Sequence, residues 1–259
     1  MMTLLCLATR QHIVVQRQGL AAPLRWLKLG WRDLQRTPAD ALLYGAMYVL
    51  MAYGLAYLLQ YFPEMALALG CACWLVGPFL AAGLYDIARQ QQAFNGGRVM
   101  LLHSVLAWRA NPGALALYGC AMALLSCAWG ASSMLLFALF DQGRLPRLDA
   151  LLPGLLQGDN LALLLSWGAI SLLFVLFVLA LSICTCAMLL DKEIDVVTAM
   201  QASLQVVGRN GVTMVVWAAM IVALVAIGLA SQFVGLLLVA PLLGLSSWHA
   251  YRALISYEC

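Results

Sequence analysis

The sequence predicts an all-α fold, a polytopic membrane helix bundle with six transmembrane helices built as three tandem amphipathic-helix-plus-hairpin repeats. Three observations predict it. Only 10% of the 259 residues are charged while 64% are hydrophobic, whereas a soluble domain carries roughly 25% charged residues; lipid must be the solvent for most of the chain. The apolar residues fall in uncharged runs that match a bilayer core, which takes about 20 residues per helix. The cations are divided unequally between alternate connections, as a fixed membrane orientation requires.

The elements follow in chain order. Residues 1–23 read as an N-terminal cytoplasmic tail and 24–259 as a single six-helix domain. No cleavable signal is expected: the start Met1-Met2-Thr3-Leu4-Leu5-Cys6 has no basic region, and its apolar run stops at Arg10. The first span would then act as the insertion signal. Residues 41–62 and 65–85 make two spans broken only by Pro63-Glu64, hence an antiparallel hairpin. Residues 113–140 give the third span and 161–190 the fourth, with room for tilt. Residues 211–248 are too long for one helix and suit two, turning near 231–235; Gly235 and Pro241 argue against one continuous helix.

Lys and Arg set the orientation. Arg10, Arg17, Arg25, Lys28, Arg32, Arg36, Arg89, Arg98, Arg109, Lys192, Arg209 and Arg252 all fall on one side, and only Arg144 and Arg147 on the other. Twelve against two places both termini in the cytoplasm.

The repeats span about 24–89, 98–191 and 195–252. Leu27, Leu101 and Met200 correspond, as do Trp31, Val105 and Leu204, and Leu34, Trp108 and Val207, at constant offsets of 74 and then 99 residues. In the same register Pro38, Pro112 and Gly211 stand where a hairpin's first helix begins, a place that suits proline because the first helical position has no use for its N–H. Tyr44, Tyr118 and Trp217 follow inside that helix, where aromatic rings favour the membrane interface. Residues 75–80 around Pro78 recur as 238–243 around Pro241, with Arg89 and Arg252 each eleven residues beyond the proline; both prolines are expected helix kinks. In the first leading segment Leu24, Leu27, Trp31 and Leu34 share one side of a helix and Arg25, Lys28, Arg32 and Arg36 the adjoining side. That pattern belongs to a helix lying in the headgroup plane, with docking under the bundle as the competing view.

The stretch Gly30-Trp31-Arg32-Asp33-Leu34 with Pro38 and Tyr44-Gly45, followed by Gly77-Pro78 and Gly83-Leu84-Tyr85-Asp86-Ile87-Ala88-Arg89, resembles a bacterial family of predicted integral membrane proteins, domain-of-unknown-function family 2189. The resemblance implies a bacterial inner-membrane protein and transfers no catalytic residue. Some members of that family carry labels linking them to respiratory oxidases.

The residues point away from site chemistry. The three histidines, His12, His103 and His249, lie outside the spans or at the end of one, whereas a membrane b-type haem needs a pair within them. Cys71 and Cys73, and Cys184 and Cys186, could offer thiolates to a soft ion, but residues two apart point to different sides of a helix, and core packing is the stronger reading. No hydrolase elbow, phosphate-binding loop or zincin motif occurs. The deepest acidic candidates are Asp86 and Asp191 at helix ends, read as solvated charges; ion-coupled carriers normally keep an ionisable group within a span. Serines of the spans are expected to bond to the i−4 carbonyl or to glue helices together, and Gly45, Gly54, Gly70, Gly77, Gly119, Gly130, Gly168 and Gly228 to admit close helix approach. The run 172–181 reads as facing lipid or a partner.

No metal, cofactor or catalytic residue is therefore expected, and no nucleic-acid partner, since there is no basic stripe. The expected partners are the lipid bilayer, another membrane protein or a second copy of the chain. The reading is a non-catalytic membrane protein acting through helix contacts, as accessory subunit, assembly factor or scaffold, with a respiratory complex among its settings. The alternative is a transporter or sensor of small molecules or lipids, and an intramembrane enzyme ranks last.

Overall fold

The computed structural model describes residues 4–5, 12–62, 66–94, 99–140 and 161–258. The connection at 141–160 with Arg144 and Arg147, the Pro63-Glu64 break, Arg10 and Arg98 lie outside the described residues, as do the side chains of Cys71, Cys73 and Pro78. Strands β1 (Leu4–Leu5) and β2 (His12–Val15) precede helices α1 (Ala22–Arg36), α2 (Pro38–Tyr61), α3 (Ala66–Ala93) and α4 (Leu101–Val105). A 3₁₀ turn (Ala107–Ala110) leads into α5 (Pro112–Phe140); then come α6 (Leu161–Ser182), α7 (Thr185–Asp191), α8 (Val196–Arg209), α9 (Gly211–Ala230), α10 (Leu236–Leu254) and strand β3 (Ile255–Glu258).

The chain is a membrane helix bundle. Among the described residues, four helical segments, Pro38–Tyr61, Pro112–Phe140, Leu161–Asp191 and Gly211–Ala230, are long and apolar enough to cross a bilayer. The two remaining predicted spans fall on α3 and α10. Both lie inside the bundle over their C-terminal parts. From Ala82 to Ala88 every residue of α3 is buried, and α10 buries Leu245, Ser246 and the run from Trp248 to Tyr251. Because protein surrounds these parts, they can carry polar groups that lipid-facing helices cannot. The outer helices show the complementary pattern: on α6, Leu172, Leu173, Val175, Leu176 and Phe177 are all exposed, in keeping with a lipid-facing or partner-facing run.

Gly45 and Gly30 let α2 and α1 meet the α10 backbone closely. A Cβ on Gly45 of α2 would lie 2.0 Å from the Leu237 carbonyl oxygen. Pro241 has no N–H to give that carbonyl, so the free acceptor faces the glycine backbone of a neighbouring helix. A Cβ on Gly30 of α1 would lie 2.1 Å from Ser246 Oγ. Gly54, Gly77 and Gly168, expected to mediate such contacts, instead face open space. Their helices pack through other faces.

The sheet was not expected from the sequence. β2 pairs antiparallel with β3, Ile13 opposite Tyr257 and Val15 opposite Ile255, while β1 flanks β2. Both chain ends are thereby joined on one side of the bundle. Arg209 donates to the Val15 carbonyl (3.1 Å), and Asn210 donates to the Gln16 carbonyl and accepts from the Gln18 amide, fastening this sheet to the α8–α9 junction.

The fourth predicted span is not one helix. The run from Leu161 breaks at Ile183–Cys184 and resumes as α7. Ser203 of α8 accounts for the break: its hydroxyl donates to the Ala180 carbonyl (2.7 Å) and accepts from the Cys184 amide (3.4 Å). A side chain from a neighbour thus takes up backbone groups that a helical ladder would otherwise pair. The last uncharged run turns where expected, between α9 and α10. Gln232 and Phe233 adopt φ of 54° and 68° there, a left-handed conformation uncommon without glycine. Tyr53 of α2 holds the turn, donating to the Gln232 carbonyl (2.6 Å) and stacking edge-on against Phe233.

Candidate functional site

The polar chemistry of the bundle gathers at the end where the chain termini meet, in three nodes. The first joins α1, α3 and α10. The Trp248 indole, a donor only, points to Gln92 Oε1 (3.1 Å), which turns the Gln92 amide nitrogen toward His249 Nδ1 (3.2 Å). His249 Nδ1 must then accept and Nε2 must carry the proton, which it donates to Asp33 Oδ2 (2.6 Å). One indole therefore fixes the histidine tautomer through an amide. Beside it Gln91 donates to the Asp33 carbonyl and to Thr37 Oγ1 (2.8 Å), locking the α1–α2 junction onto α3.

Asp86 of α3 is the second node and is fully buried. Oδ1 accepts from Arg89 Nε (3.1 Å) and Nη2 (2.5 Å), and Oδ2 accepts from Gln90 (2.7 Å) and pairs with His103 Nδ1 (2.7 Å). Gln90 Oε1 in turn accepts from the Met100 amide, which holds the start of α4 to α3. Four donors around one carboxylate are what a buried charge needs to be tolerated. An open cavity of about 510 Å³ lies alongside, lined by Arg89, His103 and Arg109 and by Met100, Leu102 and Leu106.

Asp191 forms the third node. It accepts from Tyr251 Oη (2.7 Å) and pairs with Arg252 (3.5 Å), while Tyr251 also meets Tyr257 of β3. Arg89 Nη1 reaches the Leu190 carbonyl (3.5 Å), which links the second node to the third. Nearby, Asp195 caps α8 by accepting from the Thr198 amide; the Thr198 side chain foremost, and that amide with it, holds its carboxyl below the usual aspartate value.

The residues singled out in the sequence are placed as follows. Asp191 ends α7, whereas Asp86 lies seven residues inside α3 rather than at its end; neither is a solvated charge, since Asp86 is wholly enclosed and Asp191 is tied to Tyr251 and Arg252. They belong to separate nodes. Pro78 falls within α3 and Pro241 within α10. In α1, Arg25, Lys28, Arg32 and Arg36 are exposed and so are Leu24 and Trp31, but Leu34 is buried. The face that docks on the bundle is a third one, made by Ala22, Trp26, Gly30 and Asp33, with Trp26 edge-on to Trp217 at 5.7 Å. Tyr44, Tyr118 and Trp217 are buried in protein; Tyr44 Oη meets Ser104 of α4 at 3.1 Å. Cys184 and Cys186 are buried, and among the described residues no group of three or more His, Cys, Asp and Glu side chains could hold a metal. Ser126, Ser132 and Ser166 bond to their i−4 carbonyls, and Trp129 and Trp167 donate across α5–α6 to Ser171 and Ser133, as expected of membrane serines.

Sequence reasoning missed Asp33, Gln90–Gln92 and His249. The available signal was three consecutive glutamines and one aspartate among cations, both out of place beside apolar spans.

Comparison with known proteins agrees with the bundle. The family model "Predicted integral membrane protein (DUF2189)" matches residues 65–191, from α3 to the end of α7, and it is the family that the sequence resembles. No curated protein and no solved structure matches the chain.

Proposed function

We propose that the chain is a non-catalytic, six-span protein of a bacterial inner membrane, both ends cytoplasmic, that works through helix contacts as an accessory subunit, assembly factor or scaffold, a respiratory complex being one setting. The observation that carries this reading is the polar network around the buried acids, in which only Gln91 Oε1 is left without a partner among the described buried side-chain polar atoms. Asp33, Asp86, Asp191 and His249 are all engaged by side chains of neighbouring elements, so they hold the bundle together, whereas a carrier's ionisable groups must exchange partners. The strand pairing of the two ends supports an even number of spans.

A threefold repeat is supported by position-specific agreement. Helices α2, α5 and α9 begin at Pro38, Pro112 and Gly211. Trp31, Val105 and Leu204 have matching exposures of 44%, 45% and 41%. In the same register Gly30, Ser104 and Ser203 are all small and buried. Each leading segment packs on the closing helix of the preceding unit: α4 on α3, α8 on α6 and α7, and α1 on α10, which closes the ring.

The three-faced α1 suits a helix that docks on protein and meets lipid at once. Its apolar outer face adjoins the Arg25, Lys28, Arg32 and Arg36 face, each cation worth about 1 kcal/mol near an anionic surface. Changing Arg32 and Arg36 to Glu is expected to leave the protein folded, because neither side chain enters the docking face, while protease access near Arg25 rises. A peptide of residues 23–37 that ignored anionic vesicles at low salt would exclude the interfacial placement.

Purification of the full chain from its host membrane in mild detergent, with light scattering and mass spectrometry, tests the functional reading. A stoichiometric membrane-protein partner or a second copy is expected. A monomer carrying only lipid or solute would overturn it in favour of the transporter or sensor.

A further inference from the structure

We propose that the cavity between α3, α4 and the following 3₁₀ turn binds the phosphate of an anionic phospholipid drawn from the adjacent leaflet. Its lining is divided by chemistry. One part is polar: the cations Arg89 and Arg109, with His103 between them in the lining. The Arg109 guanidinium lies over the Trp108 ring at 5.6 Å and has no ion pair among the described residues. Trp108 is itself held edge-on against Phe79 of α3, so the cation sits on an anchored platform. Asp86 is the carboxylate next to the cavity, and both of its oxygens are occupied by Arg89, Gln90 and His103. The cavity therefore presents the Arg109 donors beside a carboxylate that is already satisfied, which favours an anion.

The other part is apolar. Met100 is 65% exposed and Leu102 72%, on the flank of the same short helix. A soluble phosphate has no use for such side chains, whereas the glycerol and first acyl carbons of a lipid do. The depth also fits: Arg109 comes three residues before Pro112, where the apolar helix α5 starts, so the cations stand at the edge of the hydrocarbon. A basic pocket between membrane helices at this level is suited to an anionic lipid head group, and a volume of about 510 Å³ accommodates one.

The test uses the full-length protein in neutral detergent, titrated with dioleoyl phosphatidylglycerol or dioleoyl phosphatidylcholine and read by native mass spectrometry. The expected result is retention of phosphatidylglycerol in preference to phosphatidylcholine, weakened about fivefold by Arg109→Gln. Arg17→Gln, the same charge change at an exposed cation between β2 and α1, should leave retention unaltered, and Arg109→Lys should preserve most of it. Equal retention of the two lipids would overturn the proposal, as would equal effects of Arg109→Gln and Arg17→Gln. Displacement of the lipid by inorganic phosphate alone would make this a site for free anions and overturn it too. Circular dichroism of Arg109→Gln should match the parent protein; if that variant fails to fold, Arg109→Lys must still prefer phosphatidylglycerol, and a loss of that preference would count against the site.

Discussion

Replacing Asp86 by Ala is expected to destabilise the purified protein by about 2–3 kcal/mol. The carboxylate is fully buried and receives bonds from Arg89, Gln90 and His103. Removing it leaves those donors facing a cavity that an alanine methyl cannot fill. Breaking a buried pair from one side costs about 3–5 kcal/mol; here the Arg89 and His103 side chains are 32% and 55% exposed and regain some hydration, which brings the expected loss to the bottom of that range or just below it. Asp86→Asn should do little better, because its amide nitrogen would confront a donor on one side or the other. Removing the whole set together, Asp86→Leu with Arg89→Met and His103→Leu, should recover much of the loss, since an apolar replacement of a buried ionic group is often close to neutral. Denaturant unfolding in detergent measures all three. A loss below about 0.5 kcal/mol for Asp86→Ala would show that the network does not hold α4 to α3.

Gly45→Ala should cost about 3 kcal/mol, near the upper end for overpacking. The added Cβ would fall 2.0 Å from the Leu237 carbonyl oxygen and 3.0 Å from its Cα. Both are backbone atoms of α10, so no side chain can turn aside; α2 and α10 must part, and the Tyr53 bond to the turn at Gln232 goes with them. Gly54→Ala, nine residues further along α2, is the matched control. Its Cβ meets nothing within 4 Å, and by relieving backbone entropy it should be neutral or stabilising by up to about 1 kcal/mol. Similar losses for the two variants would mean that α2 does not pack on α10 through Gly45.

The legible part of this fold is the part set by the solvent. Lipid demands long uncharged helices, and the helical segments fall on the five uncharged runs, including the turn near 231–235. Helices α2 and α5 start at Pro38 and Pro112, where proline suits the first helical position. What stayed hidden depends on partners distant in sequence. The α6–α7 break has neither glycine nor proline to announce it; it needs Ser203 from another helix. The strand His12–Val15 is four residues long and pairs with residues 255–258 at the opposite end of the chain. In α1 the cationic and outer apolar sides were readable, but the docking face was masked. Asp33 looks like one more surface charge until His249, 216 residues away, is placed against it. Asp86 was readable as a candidate, and its burial was not, because only the fold brings His103 and Gln90 around it.

The most direct test of the six-span, both-ends-inside arrangement is reporter fusion at sites along the full chain. A periplasm-dependent reporter inserted near Gly143 should be active, and a reporter fused after Cys259 should report the cytoplasm, in keeping with twelve cations on one side against two on the other and with the strand pairing that joins the chain ends. A reporter exported from Cys259 would contradict both the orientation and the even number of spans.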